Sequence, residues 1–172
     1  MIALSNNRDQ RIKKVANYGV LVTLALVASY VETLIPISLG VPGAKIGLAN
    51  LVTIIALFLM GFKDAVAISL IRIVLAGFLF GNLFAIFYSL AGAILSLLVM
   101  ILLKKLEFGT VAVSCAGGVA HNVGQISFAA LIVENTSLFY YLPVLLIAGV
   151  LAGIAIGILG DQLVKRLKHI LQ

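Results

Sequence analysis

The sequence contains little charge. Asp, Glu, Lys and Arg together make up 10% of its 172 residues, 63% of the residues are hydrophobic, and tryptophan is absent. Soluble domains average about 25% charged residues. The mean hydropathy of +1.23 excludes an ordinary soluble domain and predicts an all-α integral membrane protein surrounded by the lipid bilayer.

Acidic residues are especially few, and they are scattered singly along the chain. They are Asp9, Glu32, Asp64, Glu107, Glu134 and Asp161. No two are spaced to hold Mg²⁺ and a diphosphate, and no phosphate-binding P-loop is present. We therefore expect no enzymatic activity, and an ATP-driven process would need another chain to bind the nucleotide.

Cysteine and histidine are also scarce. The single cysteine, Cys115, excludes an internal disulfide and is expected to pack in the core. His121 and His169 fall at opposite ends of the predicted topology, so we expect no metal and no cofactor. The net charge of +6 would suggest nucleic acid in a soluble protein, but here the cations flank apolar spans, which argues against such a partner.

Six apolar stretches divide the chain, each bounded by short polar or glycine-containing turns. The predicted spans cover 15–35, 46–61, 65–80, 83–103, 110–133 and 138–159. About 20 apolar residues cross a bilayer core, so the two short spans, the second and third, are expected to tilt or to be buried. The domains are therefore a basic segment at 1–14, a six-helix transmembrane domain at 15–163 and a basic tail at 164–172.

The basic residues predict the orientation. With six spans both termini share one side, and that side receives ten of the twelve Lys and Arg residues. The opposite side receives Lys45, and Arg72 lies within a span. Since cytoplasmic loops are enriched in Lys and Arg, both termini are predicted to be cytoplasmic.

A break rich in proline and glycine follows the first span. Residues 36–45 contain Pro36, Gly40, Pro42 and Gly43 and end at Lys45. Proline and glycine end the first helix here. The segment is either a lid over a cavity or a simple turn whose lysine extends to the membrane interface.

Seven polar residues at membrane depth are the candidate binding residues. They are Glu32, Lys45, Asn50, Arg72, His121, Asn122 and Gln125. Such residues are costly in lipid and tend to face a cavity or one another. Gly118, Asn122 and Gln125 share one helical face, with His121 beside it. The sequence thus predicts a polar pocket in the outer half of the bundle.

Other interpretations of these residues stay open. Arg72 and Glu32 could form a structural ion pair, and His121 could be a core histidine. If they bind a ligand, three cations against one acid favour an anionic or zwitterionic head group. A run of aromatic residues either packs or contacts a ring of the ligand. It comprises Phe78, Phe80, Phe84, Phe87 and Tyr88.

Small residues recur every four positions on several spans. Gly149, Gly153 and Gly157 do so in the sixth span, a spacing that lets helices approach closely. We interpret it as internal packing in preference to a docking site. The first span carries two similar pairs, Gly19 with Thr23 and Ala25 with Ser29.

Three stretches resemble a known family: SYVETLIP at 29–36, VPGAKIGLANLVTIIAL at 41–57 and GGVAHNVGQ at 117–125. They are similar to the Gx transporter family, whose members are often labelled heptaprenyl diphosphate synthase component I. That family resembles the substrate-binding S components of energy-coupling factor (ECF) transporters, which are six-helix proteins of the bacterial cytoplasmic membrane.

The resemblance implies a function and partners. An S component binds a vitamin or a related small molecule beneath the loop between its first two helices, and the expected ligand here resembles a vitamin or a quinone precursor. It docks to an ECF transmembrane subunit with ATPases through small residues of the first helix, for which Gly19, Thr23, Ala25 and Ser29 are the nearest matches. The alternative is an accessory membrane subunit of a quinone, prenyl or flavin-based extracellular electron-transfer system.

Overall fold

Six α-helices make up almost all of the described chain. The computed structural model describes the backbone of residues 2–35 and 47–171 and the side chains of residues 11–35 and 47–168. The helices are α1 (Ile2–Leu34), α2 (Leu48–Leu59), α3 (Phe62–Phe80), α4 (Leu83–Lys105), α5 (Thr110–Val133) and α6 (Leu142–Leu171), with a 3₁₀ helix (Thr136–Tyr141) before α6. The six predicted helices are therefore present, and the described ranges contain no strand.

Four of the helical stretches are long and apolar enough to cross a membrane. They are Arg11–Leu34, Leu83–Lys105, Thr110–Val133 and Thr136–Lys168. Helix α2 is a shorter apolar helix of 12 residues, and α3 contains Lys63, Asp64 and Arg72 within its 19 residues. The chain is thus a membrane protein, as predicted from its composition.

Helix α1 begins earlier than the first predicted span. The basic segment expected before Val15 continues the helix back to Ile2. Neither proline nor glycine interrupts residues 2–14, and the charged side chains described there, Arg11, Lys13 and Lys14, are exposed. Lysine and arginine are good helix formers, so the polar segment extends the helix.

The helices form a closed ring in the order α1, α3, α4, α5, α6 and α2. Helix α2 also contacts α3 and α5, and six consecutive residues, Val52–Leu57, are buried. Four of them, Val52, Ile54, Ala56 and Leu57, join a core cluster that includes residues of α1, α3 and α5. The short helix α2 is therefore covered by its neighbours, and each of its residues is buried or half-buried.

Glycines bring α5 and α6 into close contact. A Cβ atom added at Gly153 would lie 2.5 Å from the Cα of Cys115, and one at Gly157 would lie 2.7 Å from the Cα of Val111. One added at Gly149 would lie 3.1 Å from the backbone of Gly118. These distances leave no room for a side chain, so the internal-packing interpretation of the three glycines is confirmed.

The end of the bundle that carries both termini is rich in polar contacts. Lys14 Nζ lies 2.7 Å from Asp64 Oδ1, and the Tyr18 hydroxyl donates to the same oxygen at 2.6 Å. The contacts with Lys14 and Tyr18 hold the pKa of Asp64 below its usual value. Lys104 donates to the carbonyl of Leu57 near the end of α2, where cations stabilise unpaired carbonyls. This end therefore concentrates the charged pairs.

Candidate ligand-binding site

A cavity of about 160 Å³ lies among all six helices. It begins at the end of the bundle remote from the termini, beside Glu32 of α1 and Gly47 before α2, and extends past the middle toward Met100 and Ser114. Glycines supply much of its wall, so backbone borders the space directly. They are Gly47, Gly77, Gly81, Gly117, Gly118, Gly149 and Gly153.

Six of the seven predicted binding residues line this one cavity. They are Glu32, Asn50, Arg72, His121, Asn122 and Gln125. They come from α1, α2, α3 and α5, so the fold brings together side chains that are up to about 90 positions apart in the sequence. Lys45 and the rest of segment 36–46 lie outside the described residues. A role in binding remains a prediction for all seven.

Four serines and a threonine of the wall did not stand out in the sequence as binding residues, although Ser29 was predicted to take part in docking. They are Ser29, Thr33, Ser89, Ser96 and Ser114. A hydroxyl in a helix can satisfy itself on its own backbone, so a single serine in an apolar span gives a weak signal. The spacing of Ser89 and Ser96, seven residues apart, was the available indication that they share a face.

Glu32 fixes the start of α2. Its Oε1 accepts a hydrogen bond of 2.5 Å from the N–H of Leu48, the first residue of α2. Gly47 precedes it with φ of +83°, a left-handed conformation that favours glycine. A carboxylate at a helix N-terminus meets unpaired N–H groups and the positive end of the helix dipole. Glu32 thus has a structural contact that the sequence did not reveal, beside its electrostatic attraction to Arg72.

The polar residues of α5 are held by its neighbours. Asn122 Nδ2 donates to the carbonyl of Leu145 at 2.7 Å, which ties α5 to α6. A Cβ added at Gly92 of α4 would lie 2.7 Å from Gln125 Cγ and 2.9 Å from His121 Cε1. The bare backbone of Gly92 therefore sets the positions of both side chains on the cavity wall.

Arg72 and Ser29, unlike these residues, each have a buried polar atom that lacks a hydrogen-bond partner in the described part of the chain. Among the described residues, Arg72 Nε and Ser29 Oγ are the buried side-chain polar atoms that have no hydrogen-bond partner. Both residues line the cavity, although they lie on different helices. The unsatisfied polar atoms of the described interior thus belong to residues that line one cavity.

Comparison with known proteins identifies the family. The family model described as heptaprenyl diphosphate synthase component I matches residues 21–163, which is well over half of the chain and includes every residue of the cavity wall. The chain belongs to this family. No curated protein and no solved structure matches it.

The predicted docking surface of this heptaprenyl diphosphate synthase component I family member is smaller than the sequence suggested. Ala25 is 1% exposed and Ser29 is 9% exposed, because this face of α1 packs on the core and on the cavity. In this conformation neither side chain is open to another subunit, and docking through the first helix stays a prediction. Gly19 and Thr23 lie on an exposed face, and a Cβ added at Gly19 would meet nothing within 4 Å.

The aromatic run of this family member lies mostly on the outside of the bundle. Phe78, Phe80, Phe84 and Phe87 are all exposed, as expected of side chains that face lipid or the membrane interface. Phe80 is the member of the run that lines the cavity, and its ring lies 5.1 Å from that of Tyr30. Phe80 is therefore the residue of the run that is placed to contact a ligand, and such a contact stays a prediction.

Proposed function

We propose that this protein is a membrane-embedded subunit that binds a small molecule and works as the S component of an ECF-type uptake transporter. The observation that carries the proposal is the cavity shared by all six helices, which gathers six of the predicted polar residues. Small-molecule sites are typically concave, with a few convergent polar groups.

The position of the polar residues supports binding over simple packing. Ionisable groups are costly at membrane depth and usually face a functional cavity or one another. Here Arg72, Glu32 and His121 border one space of about 160 Å³. An engineered protein cavity of about 150 Å³ holds benzene, so the described space suits a compound with about one ring.

The proposed topology has six spans, with both termini in the cytoplasm of a bacterial cell. The closed ring of helices supports it, because α2 and α3 occupy places within the ring although they are short or carry charge. The contacts of Lys14 and Lys104 lie at the end that carries the termini, in agreement with the positive-inside rule. The cavity then faces the outer half of the membrane.

Cysteine labelling tests this topology. In a Cys115→Ser background, a Ser38→Cys variant is expected to react with a membrane-impermeant maleimide in intact cells, and a reporter fused after Gln172 is expected to be active only in the cytoplasm. Cysteine labelling that requires permeabilised cells would contradict the proposed orientation.

Docking to an energising module follows from the proposal. An S component depends on a transmembrane subunit and ATPases, and Gly19 and Thr23 form the exposed small-residue surface of α1. A bulky side chain forced into a close helix interface costs about 1–3 kcal/mol. At 1.4 kcal/mol per tenfold change in affinity, the upper part of that range would disrupt the complex.

We expect Gly19→Leu and Thr23→Leu to lower the recovery of co-purified ATPases about tenfold or more when the tagged chain is isolated from its own membranes in mild detergent. Leu24→Phe is the matched control, since Leu24 is exposed but lies about 100° or more around the helix from both positions. Recovery of a redox protein without ATPases would favour the accessory electron-transfer subunit instead.

A further inference from the structure

Two unsatisfied polar atoms belong to residues that border the cavity. Arg72 Nε on α3 and Ser29 Oγ on α1 are buried, and neither has a hydrogen-bond partner among the described residues. Buried polar groups in folded proteins nearly always have partners. A ligand that enters the cavity and turns these two side chains toward an acceptor group would give each of them a partner.

The charge of the wall indicates what that acceptor is. Arg72 carries a positive charge, and the nearby carboxylate of Glu32 is engaged by the N–H of Leu48 at the start of α2. The charge of Glu32 is therefore shared between Arg72 and the helix N-terminus. A guanidinium presents a planar fork of N–H donors that matches a carboxylate with two parallel hydrogen bonds.

Resting on the proposed function, we propose that the ligand is a monocarboxylate of about one ring in size, with its carboxylate held by Arg72 and Ser29. The volume of about 160 Å³ sets the size. Glu32 disfavours a second negative charge beside Arg72, so a phosphate suits this wall less well than a carboxylate. The Oδ1 of Asn122, whose amide nitrogen is already engaged by the carbonyl of Leu145, and the amide of Gln125 border the same cavity and can meet hydroxyl or amino groups elsewhere on the ring.

Thermal unfolding of the purified protein with benzoate, benzamide and inorganic phosphate tests this inference. Benzoate and benzamide have nearly the same shape and differ in charge. We expect benzoate to raise the Tm and the other two probes to leave it unchanged. Arg72→Met should lower the affinity for benzoate about tenfold or more. Arg72→Lys should retain part of the Tm shift. Ser29→Ala should lower the affinity for benzoate by a smaller factor.

Arg11→Met serves as the matched control, because Arg11 is an exposed arginine on α1, and it should keep the full benzoate shift. Three results would each overturn the proposal that the ligand is a monocarboxylate. They are an equal Tm shift with benzamide or phosphate, a benzoate shift that survives in Arg72→Met, and no shift with any probe. The proposed function is judged separately, since an S component with a neutral ligand would still co-purify with ATPases.

Discussion

Replacing Arg72 by methionine is expected to leave the ligand-free protein folded and about as stable as the wild type, or more stable, while removing most ligand affinity. The change removes a buried Nε that has no described hydrogen-bond partner, and such an atom costs about 1–3 kcal/mol. It does not strand Glu32, whose carboxylate keeps the N–H of Leu48. Loss of one partner from a buried charge pair with a ligand costs about 2–5 kcal/mol of binding.

Glu32→Gln is expected to act mainly through its hydrogen bond to Leu48. Its amide oxygen can still accept from Leu48, but a neutral hydrogen bond is about half as strong as a charge-assisted one. We therefore expect a loss of about 1 kcal/mol in the free energy of unfolding. Because Glu32 also attracts Arg72, the two effects in the double variant should couple weakly, at the lower end of the roughly 0.5–3 kcal/mol seen for neighbouring groups.

The measurement is unfolding and benzoate binding for both single variants and the double variant in one detergent. A structural ion pair gives a different pattern. Breaking a buried pair costs about 3–5 kcal/mol, because it leaves an uncompensated charge. Strong destabilisation by Arg72→Met that Glu32→Gln restores, together with full benzoate binding by the double variant, would remove Arg72 from the site.

The membrane class and the boundaries of the inner helices followed closely from the sequence, whereas α1 and α6 extend beyond the predicted first and last spans. The glycines at 61 and 81 mark the ends of α2 and α3 within two residues, because they begin turns in otherwise apolar stretches. Spacing also identified Gly149, Gly153 and Gly157 as a packing face. These features depend on local composition and on helical periodicity, which are readable without the tertiary structure.

Features that depend on which helices are neighbours could not be predicted from the sequence. The four-residue spacing of Ala25 and Ser29 defines a face of α1, but only the fold shows that the core and the cavity cover it. The bond from Glu32 to Leu48 joins residues 16 positions apart across the break, and its existence depends on how the chain returns. The sequence did predict six residues of the cavity wall, because they are polar side chains within apolar spans.

Filling the cavity tests the binding role without touching its polar residues. Ala76 lies on the cavity wall one turn after Arg72, so the two side chains share a face of α3. Leucine at this position adds a branched apolar group inside the space and changes no charge. Since the group enters a cavity and not a close-packed contact, we expect the protein to fold with little change in Tm.

Val74→Leu is the matched control. It enlarges a side chain on the same helix, but Val74 is 39% exposed and does not border the cavity. Ala85→Leu on α4, which does border it, repeats the test from another wall should Ala76→Leu fold poorly. Loss of ligand in either folded cavity variant, with retention in the control, places the ligand in the cavity.

The most direct measurement is native mass spectrometry of the protein purified from its own membranes in mild detergent. The account predicts a bound small molecule on the wild type and on Val74→Leu, and its loss from Ala76→Leu at unchanged thermal stability. A wild type with no bound small molecule, or an Ala76→Leu variant that retains the same bound mass at the same occupancy, would contradict a ligand in this cavity.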